Sequence, residues 1–256
     1  MNANPPLLDY LLRLADNGLV LAQRLSEWVG KGPVLEEDIA TTNVGLDLLG
    51  QARLWFAYAF EVEAAATGRG RSEDEFAFRR DGHEFRNLLL VEQPNGSYAD
   101  TIARQFLFDR WHVLMLRGLA ASGDARIAEI AQKSLKEASY HAERSADWVI
   151  RLGDGTDESH RRMQQAIDEL WRFTGEMFDA DDIELALVER RVAVDPRSLR
   201  EPWNAAVDAV LAEATLARPP DGWSHRGGRK GVHTEHLGPM LAEMQFLQRA
   251  YPDAQW

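Results

Sequence analysis

Seven histidines are the residues of this chain best suited to hold a metal, and the spacing that matters most for them is Glu-x-x-His. Residues three apart share one face of a helix. A glutamate and a histidine so spaced reach one metal pair together, and two such motifs with two further glutamates make the di-iron or di-manganese site of long helical bundles. The residues three positions before His83, His112, His141, His160, His225, His233 and His236 are Arg80, Asp109, Ala138, Asp157, Gly222, Lys230 and His233. None is glutamate. Two Asp-x-x-His pairs remain, Asp109 with His112 and Asp157 with His160. The second follows Gly153-Asp-Gly155, where Asp is a favoured helix cap, and a cap is the simpler reading of it. The first lies inside a helical pattern, but one pair cannot assemble a site that needs two such motifs and two more carboxylates.

Other chemistries find fewer handles. There is no cysteine, which excludes disulfides, thiolate-bound zinc, iron–sulfur clusters and thiol nucleophiles. No Gly-x-Ser-x-Gly elbow, Walker loop or Gly-x-Gly-x-x-Gly after a strand is present. The basic run Arg226-Gly-Gly-Arg-Lys230-Gly231 precedes a helical pattern and suits an anion such as a phosphate, an acidic protein surface, or simply water. Polar residues inside otherwise apolar patterns are Asp16, Asn17, Gln23, Asn43, Asp47, Gln51, Lys136, Glu137 and His141. They form either a solvated face or a paired polar network in the interior, because buried polar groups require partners.

The elements that must position these groups are helices. Apolar residues recur at steps of three and four over Leu7–Val29, Glu36 to about Ala66, Tyr98 to about Leu119 and Asp124 to about Leu152. Between the second and third, residues 68–97 contain Gln93-Pro-Asn-Gly96 and read as a long crossover connection. A fifth helix is expected over Asp157–Phe178, short pieces near Asp181–Arg190 and Pro202–Ala217, and a last helix from Thr234 to just before Pro252. No alternating pattern reaches strand length. The class is all-α, a long four-helix bundle with a crossover connection plus additional C-terminal helices, taken as a single domain over residues 1–256.

A chain of 256 residues with a net charge of −12 is large enough for a full core and ill suited to nucleic acid or an anionic membrane surface. The first residues lack the basic and apolar regions of a signal peptide, and apolar runs such as Leu88–Val91 are too short to span a bilayer. A cytoplasmic protein is expected.

Five segments together are distinctive: Asp16-Asn-Gly-Leu-Val-Leu-Ala-Gln-Arg-Leu-Ser-Glu-Trp28, Gly45-Leu-Asp-Leu-Leu-Gly-Gln-Ala-Arg53, Asn87-Leu-Leu-Leu-Val-Glu-Gln-Pro-Asn-Gly96, Asp100-Thr-Ile-Ala-Arg-Gln105 and His233-Thr-Glu-His-Leu-Gly-Pro-Met-Leu-Ala-Glu-Met-Gln245. From about Leu7 to Trp256 the chain resembles the C-subunit family of the ring 1,2-phenylacetyl-CoA epoxidases. The resemblance implies a ferritin-like, non-catalytic structural subunit with no cofactor of its own. It would pair with and stabilise a homologous A subunit that holds the di-iron centre and epoxidises the aromatic ring of phenylacetyl-CoA with O₂, while a separate reductase supplies electrons from NADPH. It also implies that Leu48-x-x-Gln51 and Ala138-x-x-His141 stand where the A subunit has Glu-x-x-His, so that Leu48, Gln51, Asp109, Ala138 and His141 mark a degenerate former metal site. By the same likeness Glu84, Phe85, Arg86 and Asn87, with Leu185, Ala186 and Leu187, become candidates for contact with acyl-CoA near the subunit interface. A homodimer of the isolated chain stays open. Two other classes remain beside this reading: a stand-alone acyl-CoA binding module, and a metal-dependent oxidoreductase acting alone around Asp109, His112 and His141.

Overall fold

The structure, a computed structural model, describes residues 6–252 and 254; Met1 to Pro5, where no signal peptide is read, and Trp256 lie outside them. Among the described residues all regular structure is helical: α1 (Pro6–Ser26), α2 (Leu35–Thr67), α3 (Glu73–Phe78), α4 (Tyr98–Leu119), α5 (Ala125–Gly153), α6 (Asp157–Trp171), α7 (Asp182–Glu189), α8 (Arg200–Glu213), α9 (Leu237–Met244) and α10 (Phe246–Ala250), with short 3₁₀ turns between some of them. Two long helix pairs joined by a long connection, followed by shorter helices, are the element set of a ferritin-like chain. No described helix is long and apolar enough to cross a membrane.

The chain divides into two compact units, residues 1–92 with 227–256, and residues 93–226. In the first, α1 and α2 pack along their lengths. Their run is antiparallel: Gly18 lies beside Leu48 and Ala52, while Gly45 lies beside Ala22 and Leu25. A Cβ on Gly18 would sit 2.9 Å from the Leu48 carbonyl oxygen, so only glycine lets the two backbones approach this closely. In the second unit α4 pairs with α5, and α6 and α8 pack against both. Its core is Phe106, Phe108, Trp111, Met115, Ile127, Ile130, Val149, Ile167 and Trp203. The Trp203 indole donates to the Leu107 carbonyl at 3.1 Å, satisfying the one polar atom it buries.

The four long helices fall within a few residues of their expected bounds. The expected connection over residues 68–97 also holds α3, which Ser72 and Glu75 open with a reciprocal capping box. The fifth helix stops at Trp171 rather than Phe178. Gly175 there packs against the Ser224 side chain, and a 3₁₀ turn over Gly175–Phe178 takes the place of the last α-turns. The last helix begins at Leu237 rather than Thr234, which places Pro239 in the first turn, where its missing N–H costs nothing. It also breaks at Gln245 into two pieces. Gln245 instead sends its buried amide to the carbonyls of Ala77 and Arg80, at 3.0 Å each.

Candidate functional site

In the second unit α4 and α5 bring Asp109, Gln105, Ser145 and His141 into one interior cluster. Gln105 and Asp109 lie four apart on α4, one turn on the same face. The Asp109 carboxylate accepts from Gln105 Nε2 at 2.6 Å and from Ser145 Oγ at 2.9 Å. Burial pushes its carboxyl up from the ordinary 3.8 to about 6; His141, the two hydrogen bonds and Arg144 hold the rise in check. Ala138 and His141 are both buried on the same face of α5, so a methyl group stands where a second ligating carboxylate would be needed.

His112, three residues after Asp109, carries a buried Nδ1 with no hydrogen-bond partner, and its ring tilts over Phe108 at 5.1 Å. Burial, with His141 adding, pushes it down to about 3, so the ring stays neutral near pH 7. Part of the His112 residue remains exposed, and its ring is therefore less costly to charge than a fully enclosed one. Asp157 is the first residue of α6 and not its cap: Thr156 caps, through Ser159, and His160 Nδ1 meets the Gly153 carbonyl at 2.7 Å.

The two titrations make a test. A raised carboxyl adds stability below pH 3.8 that is lost as pH rises through 6, whereas a lowered imidazole adds stability above pH 6.5 that is lost as pH falls toward 3. Between pH 6 and 4 they oppose. Asp109→Asn removes the first, so this variant should lose about 3 kcal/mol more than the parent as pH falls across that window. Urea unfolding of both proteins at pH 6 and pH 4 measures it, and parallel losses would show that Asp109 is not the compensating group.

Leu48 and Gln51 lie buried on α2 in the first unit, among the residues α2 turns inward. Of the other polar residues in apolar patterns, Asp16 and Asn17 are buried, Gln23, Asp47 and Glu137 are half-buried, and Asn43 and Lys136 are exposed. Lys136 therefore takes no part in an interior network. Among the described residues no group of three or more His, Asp or Glu side chains is arranged to hold a metal ion.

The segment Glu84–Asn87 is tied into the first unit. Phe85 is fully buried under the Arg80 guanidinium, 4.3 Å from the ring centre. Arg86 spends Nη1 on the carbonyls of His83 and Phe85 and Nε on Asp9. Asn87 Nδ2 donates to Glu92 at 2.9 Å. Glu84 is half-buried and accepts the Asp81 amide at 2.8 Å. In the second unit Leu187 is buried on α7, Leu185 is half-buried and Ala186 exposed.

The basic run 226–231 is packed against protein groups at several of its residues. Arg226 pairs with Asp179 at 2.6 Å in the second unit. In the first unit, Gly228 presses on the Asn87 carbonyl and Gly231, at φ +76°, on that of His83. The Thr234 amide that follows donates to Glu92 at 2.6 Å. Of the run's basic side chains, Arg226 meets a carboxylate of the chain itself and Lys230 is exposed.

Residue patterns alone did not find Glu92, Arg24 and Arg80 as organising groups. Glu92 is fully buried and accepts from Asn87, His233 and both donors of Thr234. Arg24 binds the Glu92 backbone carbonyl with two nitrogens, at 2.7 and 3.1 Å. The distinctive runs Asn87–Gly96 and His233–Gln245 contain most of these partners, which was the available signal.

An all-helical chain with this element order, and interior polar clusters closed by hydrogen bonds, is the class that the comparisons specify further. It matches the phenylacetic acid catabolic protein family over residues 1–256 and belongs to that family. It is 57% identical over 250 residues, 98% of this chain and 99% of the relative, to the C subunit of 1,2-phenylacetyl-CoA epoxidase from Escherichia coli (strain K12).

Proposed function

We propose that this chain is a non-catalytic, cytoplasmic structural subunit of a ring 1,2-phenylacetyl-CoA epoxidase in aerobic phenylacetate degradation. It pairs with a homologous A subunit that holds the di-iron centre, and it keeps that subunit's site ordered. The full-length likeness to an epoxidase C subunit supports the assembly. The observation that carries the non-catalytic role is the donor set. On α4 and α5 the one buried carboxylate, Asp109, is hydrogen-bonded to Gln105 and Ser145, and the helix face that carries His141 offers Ala138 in place of a carboxylate. These residues do not fit a pair of irons, which takes four carboxylates and two histidines.

Metal analysis of the purified chain, and of the complex after co-expression with the A subunit, tests the proposal. The expected result is no stoichiometric iron in the chain alone and, in a stable complex, iron in proportion to the A subunit. Two irons per isolated chain with oxygenase activity would overturn it.

A further inference from the structure

In the second unit a cavity of about 440 Å³ lies between the end of α6, the 3₁₀ turn over Gly175–Phe178, the start of α8 and the loop of residues 219–226. That volume is within the range of small-molecule sites. No residue of the Asp109 cluster lines it. The loop is tied down at both ends. Before it, Ala217 exchanges two hydrogen bonds with the Gln164 amide, at 2.7 and 3.0 Å, and Pro219 and Pro220 then fix the backbone angle φ. Near its far end the His225 amide donates to the Arg172 carbonyl at 2.8 Å, and the His225 ring stacks on Phe173 at 4.7 Å. The loop is thus held over a space that its own side chains do not fill.

Three guanidinium groups and two carboxylates belong to the lining: Arg172, Arg200 and Arg226, with Asp168 and Asp221. Arg226 is paired with Asp179, and Asp221 with Arg218. Among the described residues neither Arg172 nor Arg200 has a carboxylate partner; each lies over a ring instead, Phe173 at 5.3 Å and Phe178 at 4.7 Å. An aromatic face steadies a cation without consuming its N–H donors, so both forks remain able to meet a planar anion. Asp168 alone stands against them, with one oxygen on Gln164 Nε2 at 2.9 Å. Two unmatched positive charges against one negative charge leave a local surplus of one, in a protein whose net charge is −12. Ser224 lines the same cavity at 8% exposure, and its Oγ has no hydrogen-bond partner among the described residues. A buried hydroxyl is costly to leave unpaired. Trp223, 75% exposed, is set T-shaped against His225 at 4.4 Å and offers apolar area to a planar ring.

We infer that this cavity binds a small aromatic monocarboxylate. The carboxylate meets the Arg172 and Arg200 guanidinium groups, Ser224 Oγ is a further donor, and the ring lies against Trp223 and Pro220. Charge sets the class: one negative charge matches the local surplus, whereas a phosphate dianion would exceed it and be repelled by Asp168. The site goes beyond the subunit reading and does not rest on it.

Calorimetric titration of the full-length chain with 2-naphthoate, 2-naphthol, acetate and inorganic phosphate tests the inference. The expected result is one saturable site for 2-naphthoate with a Kd of about 1 mM or tighter. Acetate, which lacks the ring, and 2-naphthol, which lacks the carboxylate, should each bind at least about tenfold more weakly. Arg172→Gln should weaken 2-naphthoate by about 10-fold and Trp223→Ala by about 5-fold. Both residues are exposed, so the variants should keep the parent's melting temperature. Absence of saturable 2-naphthoate binding, or binding by both variants within twofold of the parent, would overturn the inference and leave the subunit reading intact. Phosphate binding more tightly than 2-naphthoate would overturn the choice of ligand.

Discussion

Arg80→Ala should destabilise the protein by about 4 kcal/mol. Arg80 is almost wholly buried, and its guanidinium forms a two-pronged pair with the Asp16 carboxylate, which has no exposure at all. The remaining donors meet the carbonyls of Phe76, at 2.6 Å, and Glu84, at 3.2 Å. Phe56, Phe76 and Phe85 surround the cation at 4.3 to 5.9 Å. Such a pair gives little net stability relative to apolar residues of the same shape, yet removing one partner strands the other charge, typically at a cost of about 3–5 kcal/mol. Asp16 would keep only the Arg86 amide, at 2.8 Å. The double variant Asp16→Asn with Arg80→Met removes both charges and should be less destabilised than Arg80→Ala alone. Urea unfolding measures both, read as a shift of midpoint at constant slope. A loss under about 1 kcal/mol for Arg80→Ala would mean that Asp16 finds water or another cation.

The long helices were legible because they obey one rule over many residues. On α1, Leu8, Leu11, Leu12, Ala15, Leu19 and Ala22 are spaced for one face, and all are buried. Breaks controlled by a single tertiary contact were not legible. Nothing local stops α9 at Met244; the buried amide of Gln245 reaches carbonyls more than 160 residues away. The helix α3 was legible in principle, since Ser72-Glu-Asp-Glu75 is a capping box, but a short helix within a long glycine-containing connection gives too few periodic positions to outweigh its surroundings.

The polar interior divides in the same way. Asp109 stood out by its Asp-x-x-His spacing and His141 as a polar group in an apolar helix, and both are buried in one cluster. Ser145 was not noticed, because serine is common on helix surfaces and only the pairing of α4 with α5 brings its hydroxyl to Asp109. Alternation of apolar and polar residues also does not report the outer face of α2. Where a helix is apolar on both sides, the spacing that marks it as a helix does not say which side is buried, and Leu35, Ile39 and Leu46 are exposed. Of the eight tryptophans, Trp55, Trp111, Trp171 and Trp203 are core.

Glu92→Ala should cost about 4 kcal/mol and should release the C-terminal segment of the first unit before the rest unfolds. The side chain is completely enclosed and receives the Thr234 amide at 2.6 Å, the Thr234 hydroxyl at 2.8 Å, His233 Nδ1 at 2.8 Å and Asn87 Nδ2 at 2.9 Å. Three of those four donors belong to residues 233 and 234, so this one carboxylate fastens that segment to the connection that follows α3. Charged hydrogen bonds are the stronger kind, and each buried donor left unmatched costs about 1–3 kcal/mol. The full sum is not expected, because the freed segment can relax and take up water. His233 Nε2 would still meet the Phe85 carbonyl at 3.1 Å, and Arg24 would still hold the residue 92 carbonyl through the backbone. Local opening is therefore cheaper than global unfolding. Hydrogen exchange should show loss of protection over residues 233–250 with α1 and α2 little changed, and Glu92→Gln, which keeps one acceptor oxygen, should lose about half as much. Uniform loss of protection across the first unit would instead make Glu92 part of its common core and not a local fastener.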